Sequence, residues 1–131
     1  MVIDTSAVVA VLLDEPEGES FARAMLAAPR RYMSAFSELE TAIVISARKG
    51  AAGKREWDLL AHEVGIDVIP FDSAQQQLAL EAWNTYGKGH HEAALNIGDC
   101  CSYALAVRLG EPLLFKGNDF AQTDITPVAF A

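Results

Sequence analysis

Between Asn96 and Ala106 the chain reads Asn-Ile-Gly-Asp-Cys-Cys-Ser-Tyr-Ala-Leu-Ala, a helical stretch with an apolar body and one carboxylate, Asp99, in its first turn. A helix without a polar face has to be covered on more than one side. That demand restricts the fold, because a chain of 131 residues must supply layers of structure around this one helix. Asn96 suits the N-cap and places Asp99 at the third helical position, where the exposed amides and the helix dipole favour negative charge. Taken alone, Asp99 is explained by capping, a contribution of roughly 0.5 to 2 kcal/mol.

The remaining segments alternate between short apolar runs and longer helical ones. Met1–Asp4 reads as a buried strand, and Asp4 or Thr5 caps a helix over Ala7–Leu13 that is again apolar all round. Asp14-Glu-Pro-Glu-Gly18 breaks that helix, and Pro16 opens another through Phe21, Met25 and Leu26 to Pro29. Arg30–Met33 is a second strand. The helix Ser34–Ala47 stops at Arg48-Lys-Gly50, and a further one runs from Gly53 to Gly65. Ile66–Phe71 is a third strand, followed by a helix capped by Asp72 or Ser73 that ends near Tyr86-Gly87. Gly87–Glu92 is a polar connection without the spacing of a phosphate-binding P-loop. Glu111–Phe115 is a fourth strand, and Ile125–Phe130 is an edge strand that tolerates Pro127. This alternation calls for an α/β fold: one domain over residues 1–131, with a central, mostly parallel sheet of about five strands and helices on both faces.

Net charge is −8, from 18 acidic and 10 basic residues, which argues against a nucleic-acid binder that relies on a basic surface. The argument loosens if several carboxylates share a metal site, since bound divalent cations invert the local field. An acidic chain also suits a basic protein partner. The sequence shows no apolar run of about 18 residues and no signal-peptide pattern, so it is expected in the cytoplasm and away from membranes. Cys100 and Cys101 are adjacent in a helix and read as core residues, not as a disulfide or a zinc site.

In a parallel α/β sheet, ligands and catalytic groups collect at the carboxyl ends of the strands. Asp4 and Asp119 follow the first and fourth strands, and Asp99 opens a helix at the same rim. Glu40 lies past the first turn if Ser34 is the cap, although Ser37-x-x-Glu40 also matches a capping box. Four carboxylates aimed at one crevice would repel one another unless a cation joined them. Oxygen-only donors select magnesium or manganese over zinc, and the chemistry such ions serve is phosphate-ester hydrolysis. Lys88, His90 and Lys116 are the cations expected to meet a substrate phosphate. A solvated loop is the plainer reading of Lys88 and His90, and a surface charge that of His62.

Four stretches, Met1-Val-Ile-Asp-Thr-Ser-Ala7, Glu40 within its apolar helix, Leu95-Asn-Ile-Gly-Asp-Cys-Cys101 and Pro112-Leu-Leu-Phe-Lys-Gly-Asn-Asp-Phe120, occur in this order over essentially the whole chain. Together they resemble the PIN-domain ribonucleases, specifically the VapC toxins of type II toxin-antitoxin systems. The resemblance implies a three-layer α/β/α sandwich and an endoribonuclease dependent on Mg2+ or Mn2+. It also implies a homodimer neutralised by a cognate VapB-type antitoxin. Carried over by position, Asp4 and Asp99 are the main metal ligands, Glu40 and Asp119 complete the acidic site, and Thr5 or Ser6 supports them. Asp124 is acidic and close in sequence, with no role assigned. Attack of an activated water on phosphorus would leave a 5′-phosphate and a 3′-hydroxyl. The rival readings are a catalytically silent PIN scaffold and a receiver-like signalling module. The latter fits poorly, because Thr5-Ser6 stands where it would carry a second acid.

Overall fold

A computed structural model describes residues 1–130. Strands β1 (Val2–Ile3), β2 (Arg31–Ser34), β3 (Ile66–Ile69) and β4 (Leu113–Leu114) form one parallel sheet in the order β3-β2-β1-β4. The helices are α1 (Thr5–Leu12), α2 (Gly18–Ala27), α3 (Ala35–Val64), α4 (Ser73–Tyr86) and α5 (Ile97–Leu109). Successive residues of a strand face opposite sides of the sheet, and the core divides accordingly. Ile3, Met33 and Leu114 pack with Val8, Phe21, Met25, Ile45 and Trp57 of α1, α2 and α3. Val2, Leu113 and Tyr32 pack on the other side with Ala82, Cys100, Tyr103 and Leu105 of α4 and α5. The result is three layers, helix on sheet on helix.

The carboxyl rim of the sheet is built by caps. Asp4 accepts the Ser6 N–H and starts α1, Ser34 accepts the Phe36 N–H and starts α3, and Asn96 accepts the Asp99 N–H and starts α5. Because β1, β2 and β4 are parallel neighbours, the segments that leave them emerge at one end. The Ser37–Glu40 capping box is not formed. With Ser34 as cap, Ser37 falls inside the helix, fully buried.

One expectation is corrected. The sheet has four strands, not about five: Ile125–Phe130 touches β4 through the single bridge Leu113–Pro127. Leu113 N–H bonds to Thr126 O and Val128 N–H to Leu113 O, so the Pro127 nitrogen, with no N–H to give, faces away from β4, and the pairing goes no further than this bridge. The stop at Arg48-Lys-Gly50 stands as expected: Gly50 takes the non-helical values φ 64°, ψ −156°, so α3 is two helical arms that break there, the second running on to Gly65. The two arms meet closely at Gly53, where a Cβ would lie 2.5 Å from Lys49 Cβ and 2.8 Å from Ile45 Cγ2.

Candidate acidic active site

Asp4 is 4% exposed and fully engaged. Its Oδ2 accepts the Ser6 N–H at 3.0 Å and the Ser6 hydroxyl at 2.6 Å, and its Oδ1 accepts the Ser102 hydroxyl at 2.6 Å. Thr5 turns inward and donates to Ser37 O at 3.1 Å, while accepting from Thr41 Oγ1 at 3.3 Å.

Glu40 projects from α3 over the first turn of α5. A Cβ built on Gly98 would sit 2.7 and 2.8 Å from its carboxylate oxygens, so glycine is what lets the two helices bring this acid in. Burial raises the Glu40 carboxyl above its ordinary value, the Thr5 hydroxyl lowers it, and the charge of Asp4 raises it again.

Asp99 forms a reciprocal capping box with Asn96: its Oδ2 accepts the Asn96 N–H at 3.0 Å, and Asn96 Oδ1 accepts the Asp99 N–H at 2.8 Å. Its carboxyl is nonetheless pushed up to about 7, by burial first and then, against the relief from Asn96 N–H, by the charges of Asp4, Asp119 and Glu40. The charges of Asp4, Glu40 and Asp119, from three other segments, are thus felt at Asp99. Asp119 sits ahead of the 3-10 turn Phe120–Gln122 but makes no side-chain cap bond there. Asp124 accepts a hydrogen bond from Tyr103 Oη at 2.5 Å and ties the segment after Asp119 to α5.

The acids are neighbours without being closed into a ligand cage. Among the described residues no three His, Cys, Asp or Glu side chains converge closely enough to hold an ion. The reason lies in the cap: Asp99 is turned back onto its own helix. The donor set still fits a hard divalent cation, being all oxygen, and the mutual repulsion that raises Asp99 is what such a cation would relieve.

Of the expected phosphate contacts, Lys116 reaches the rim through its backbone. Its N–H donates to Ser6 Oγ at 3.0 Å, while its ammonium pairs with Glu15 and, at 3.1 Å, with Glu17. Lys88 and His90 stand on a loop closed by bonds from Lys88 N–H to Leu95 O and from Leu95 N–H to Tyr86 O. The His90 ring lies edge-on to Trp83 at 6.2 Å. Sequence reasoning missed Ser37, Gly98 and Ser102. The signal for Ser102 was a hydroxyl three residues after Asp99 in an apolar helix; nothing local marked Gly98. A cleft of about 910 Å3 lined by Met1, Arg30, Pro112 and Phe130 lies at the amino ends of the strands, and none of the four acids lines it. Cys100 and Cys101 are buried and free, as expected, and among the described residues no helix is long and apolar enough to cross a membrane.

A parallel sheet between two helical layers, with Asp4 after its first strand and Asp99 opening α5, narrows the class, and the family model described as "PIN domain" matches residues 1–125. The chain belongs to the PIN-domain family, on the VapC ribonuclease branch. It is 54% identical over 129 residues to a VapC ribonuclease of Mycobacterium bovis, covering 98% of both chains. It is 52% identical over 128 residues to a ribonuclease VapC of Mycolicibacterium smegmatis, covering 98% of this chain and 99% of that one. Two solved structures share the fold. Mycobacterium tuberculosis VapC20, described as a sarcin-ricin loop cleaving toxin, superposes with TM-score 0.78 at 17% identity over 97% of both chains. A toxin-antitoxin complex from Klebsiella pneumoniae gives 0.70 at 16% identity over 98% of both.

Proposed function

We propose that this protein is a metal-dependent endoribonuclease, the toxin of a type II toxin-antitoxin system, acting in the cytoplasm as a homodimer and neutralised by a VapB-type antitoxin. Relatives at 54% and 52% identity named as ribonucleases support the activity class. The observation that carries the metal dependence is Asp99, whose carboxyl is driven up by burial and by three other carboxylates. Such an arrangement is costly without a cation.

Asp4 and Asp99 would hold Mg2+ or Mn2+, with Glu40 and Asp119 completing the donor set. Bound there, the ion would supply water activation and neutralisation of phosphoryl charge. The chain's own residues do the rest. Ser6 and Ser102 fix the Asp4 carboxylate. Thr5 stands beside Glu40, whose raised carboxyl suits it to take a proton from the attacking water. Lys88 and His90 on their loop, and Lys116 once released from Glu15 and Glu17, would meet the RNA backbone. A basic antitoxin segment entering the acidic rim fits the net charge of −8.

The test is cleavage of a total RNA pool by antitoxin-free protein with Mg2+, with Mn2+ and with EDTA, alongside Asp99→Asn. Cutting that requires both the ion and Asp99 is the expected result. Cutting by Asp99→Asn at the normal rate would remove the site assignment, and cutting in EDTA would remove the metal.

A further inference from the structure

Asp4 is held from two directions, and only one belongs to its own turn. Ser6, two residues on, donates to Oδ2. Ser102 donates to Oδ1 from the middle of α5, 98 residues away in sequence. Ser102 and Ser37 are both 0% exposed, and their hydroxyl oxygens lie 3.1 Å apart. A serine hydroxyl has one proton to give. Since that of Ser102 goes to Asp4, the proton between the two serines comes from Ser37. The order is therefore Ser37 to Ser102 to Asp4, a relay reaching from α3 through α5 to the end of β1. Hydroxyls in a wholly buried position cost free energy unless they are bonded, and residues 100–106 are otherwise Cys, Tyr, Ala and Leu. Alanine would satisfy the packing at 102; the oxygen serves its two bonds, one from Ser37 and one to Asp4.

We propose that Ser102, backed by Ser37, is a positioning residue of the active site, holding the Asp4 carboxylate in the one orientation in which it binds the divalent ion. The inference rests on the metal-dependent reading above. Without the relay Asp4 keeps its Ser6 bonds but gains freedom about its side-chain torsions, so affinity for the ion and turnover fall together while RNA binding does not.

The experiment titrates Mn2+ alone into metal-free wild type, Ser102→Ala, Ser37→Ala, the double variant and Ser102→Thr, and measures kcat and KM for RNA separately. Outer partners of metal ligands typically contribute 10- to 100-fold in affinity or activity. Ser102→Ala is expected to weaken Mn2+ binding and lower kcat by about 10-fold, leaving KM unchanged. Ser37→Ala moves both in the same direction by less. The double variant adds nothing to Ser102→Ala, because Ser37 acts only through Ser102. Ser102→Thr, which keeps the hydroxyl, restores both quantities. A folded Ser102→Ala with wild-type Mn2+ affinity and kcat overturns the proposal. If Ser102→Ala fails to fold, Ser37→Ala decides, since every bond to Asp4 remains in it: unchanged affinity and kcat there overturn the relay. Wild type that neither binds Mn2+ nor cuts RNA removes the metal-dependent reading itself, and the proposal with it. An active wild type with indifferent variants removes the relay alone.

Discussion

Asp4 and Asp99 bring the same group to the same rim and are held in opposite ways. Asp4 is buried and accepts bonds from Ser6 and from Ser102 on a distant helix. Asp99 accepts from Asn96 N–H, within its own capping box. Turning Asp99 toward the rim costs one cap, about 1 kcal/mol; turning Asp4 away would break bonds to two segments. The comparison teaches that capping and site chemistry are not competing explanations for an acid. Asp99 does cap, and the same carboxylate carries the repulsion of three others.

Predictions on this pair run from the strongest effect downward. Asp4→Asn and Asp99→Asn should each abolish RNA cleavage, by roughly 10^2- to 10^3-fold, as expected for several kcal/mol of lost metal-ion stabilisation. A single-turnover assay in Mn2+ measures this, and unequal losses would show which acid the ion depends on.

Next is Gly98→Ala. Its methyl would meet the Glu40 carboxylate at 2.7 Å, and because that carboxylate ends a flexible side chain that can swing aside, the cost is at most the usual overpacking range of about 1–3 kcal/mol. Thermal melts should show the loss, and adding Glu40→Ala should recover much of it. Additive losses in the double variant would mean the contact is not what makes glycine necessary.

Asp99→Asn should also stabilise the metal-free fold at pH 8. A carboxyl raised in the folded state to about 7 favours folding fully only below its unfolded value. That stability drains as pH climbs through about 7, because the unfolded chain then gives up its proton more readily. Allowing for solvent screening, the gain is about 1–2 kcal/mol in EDTA at pH 8 and nothing near pH 4. Melting curves at the two pH values test this. Added Mn2+ should raise the wild-type Tm more than that of the variant. The smallest effect is Asn96→Ala, which removes one side of the capping box and should cost about 1 kcal/mol by urea unfolding.

Much of the architecture was legible in short range. The caps Ser34, Asp72 and Asn96 and the stop Gly65 stand where the sequence placed them, because capping is a transaction between near neighbours. The break at Gly50 also stands where the sequence placed it. The misplaced feature depended on more distant partners: Ile125–Phe130 has a strand-like composition but meets β4 only through the bridge Leu113–Pro127.

The sequence by itself determined the strand and helix order, the burial of α5, and the places of Asp4 after a strand and Asp99 at a helix start, since each follows from periodicity, caps and the rule for parallel sheets. Only the tertiary structure decided that Ser102 reaches Asp4 across 98 residues, that Gly98 clears the space for Glu40, and that the Lys116 ammonium is taken up by Glu15 and Glu17. The reason is physical: periodicity and caps act over a few residues of chain, whereas hydrogen bonds and close contacts act over a few ångströms of space, which only the packed fold defines.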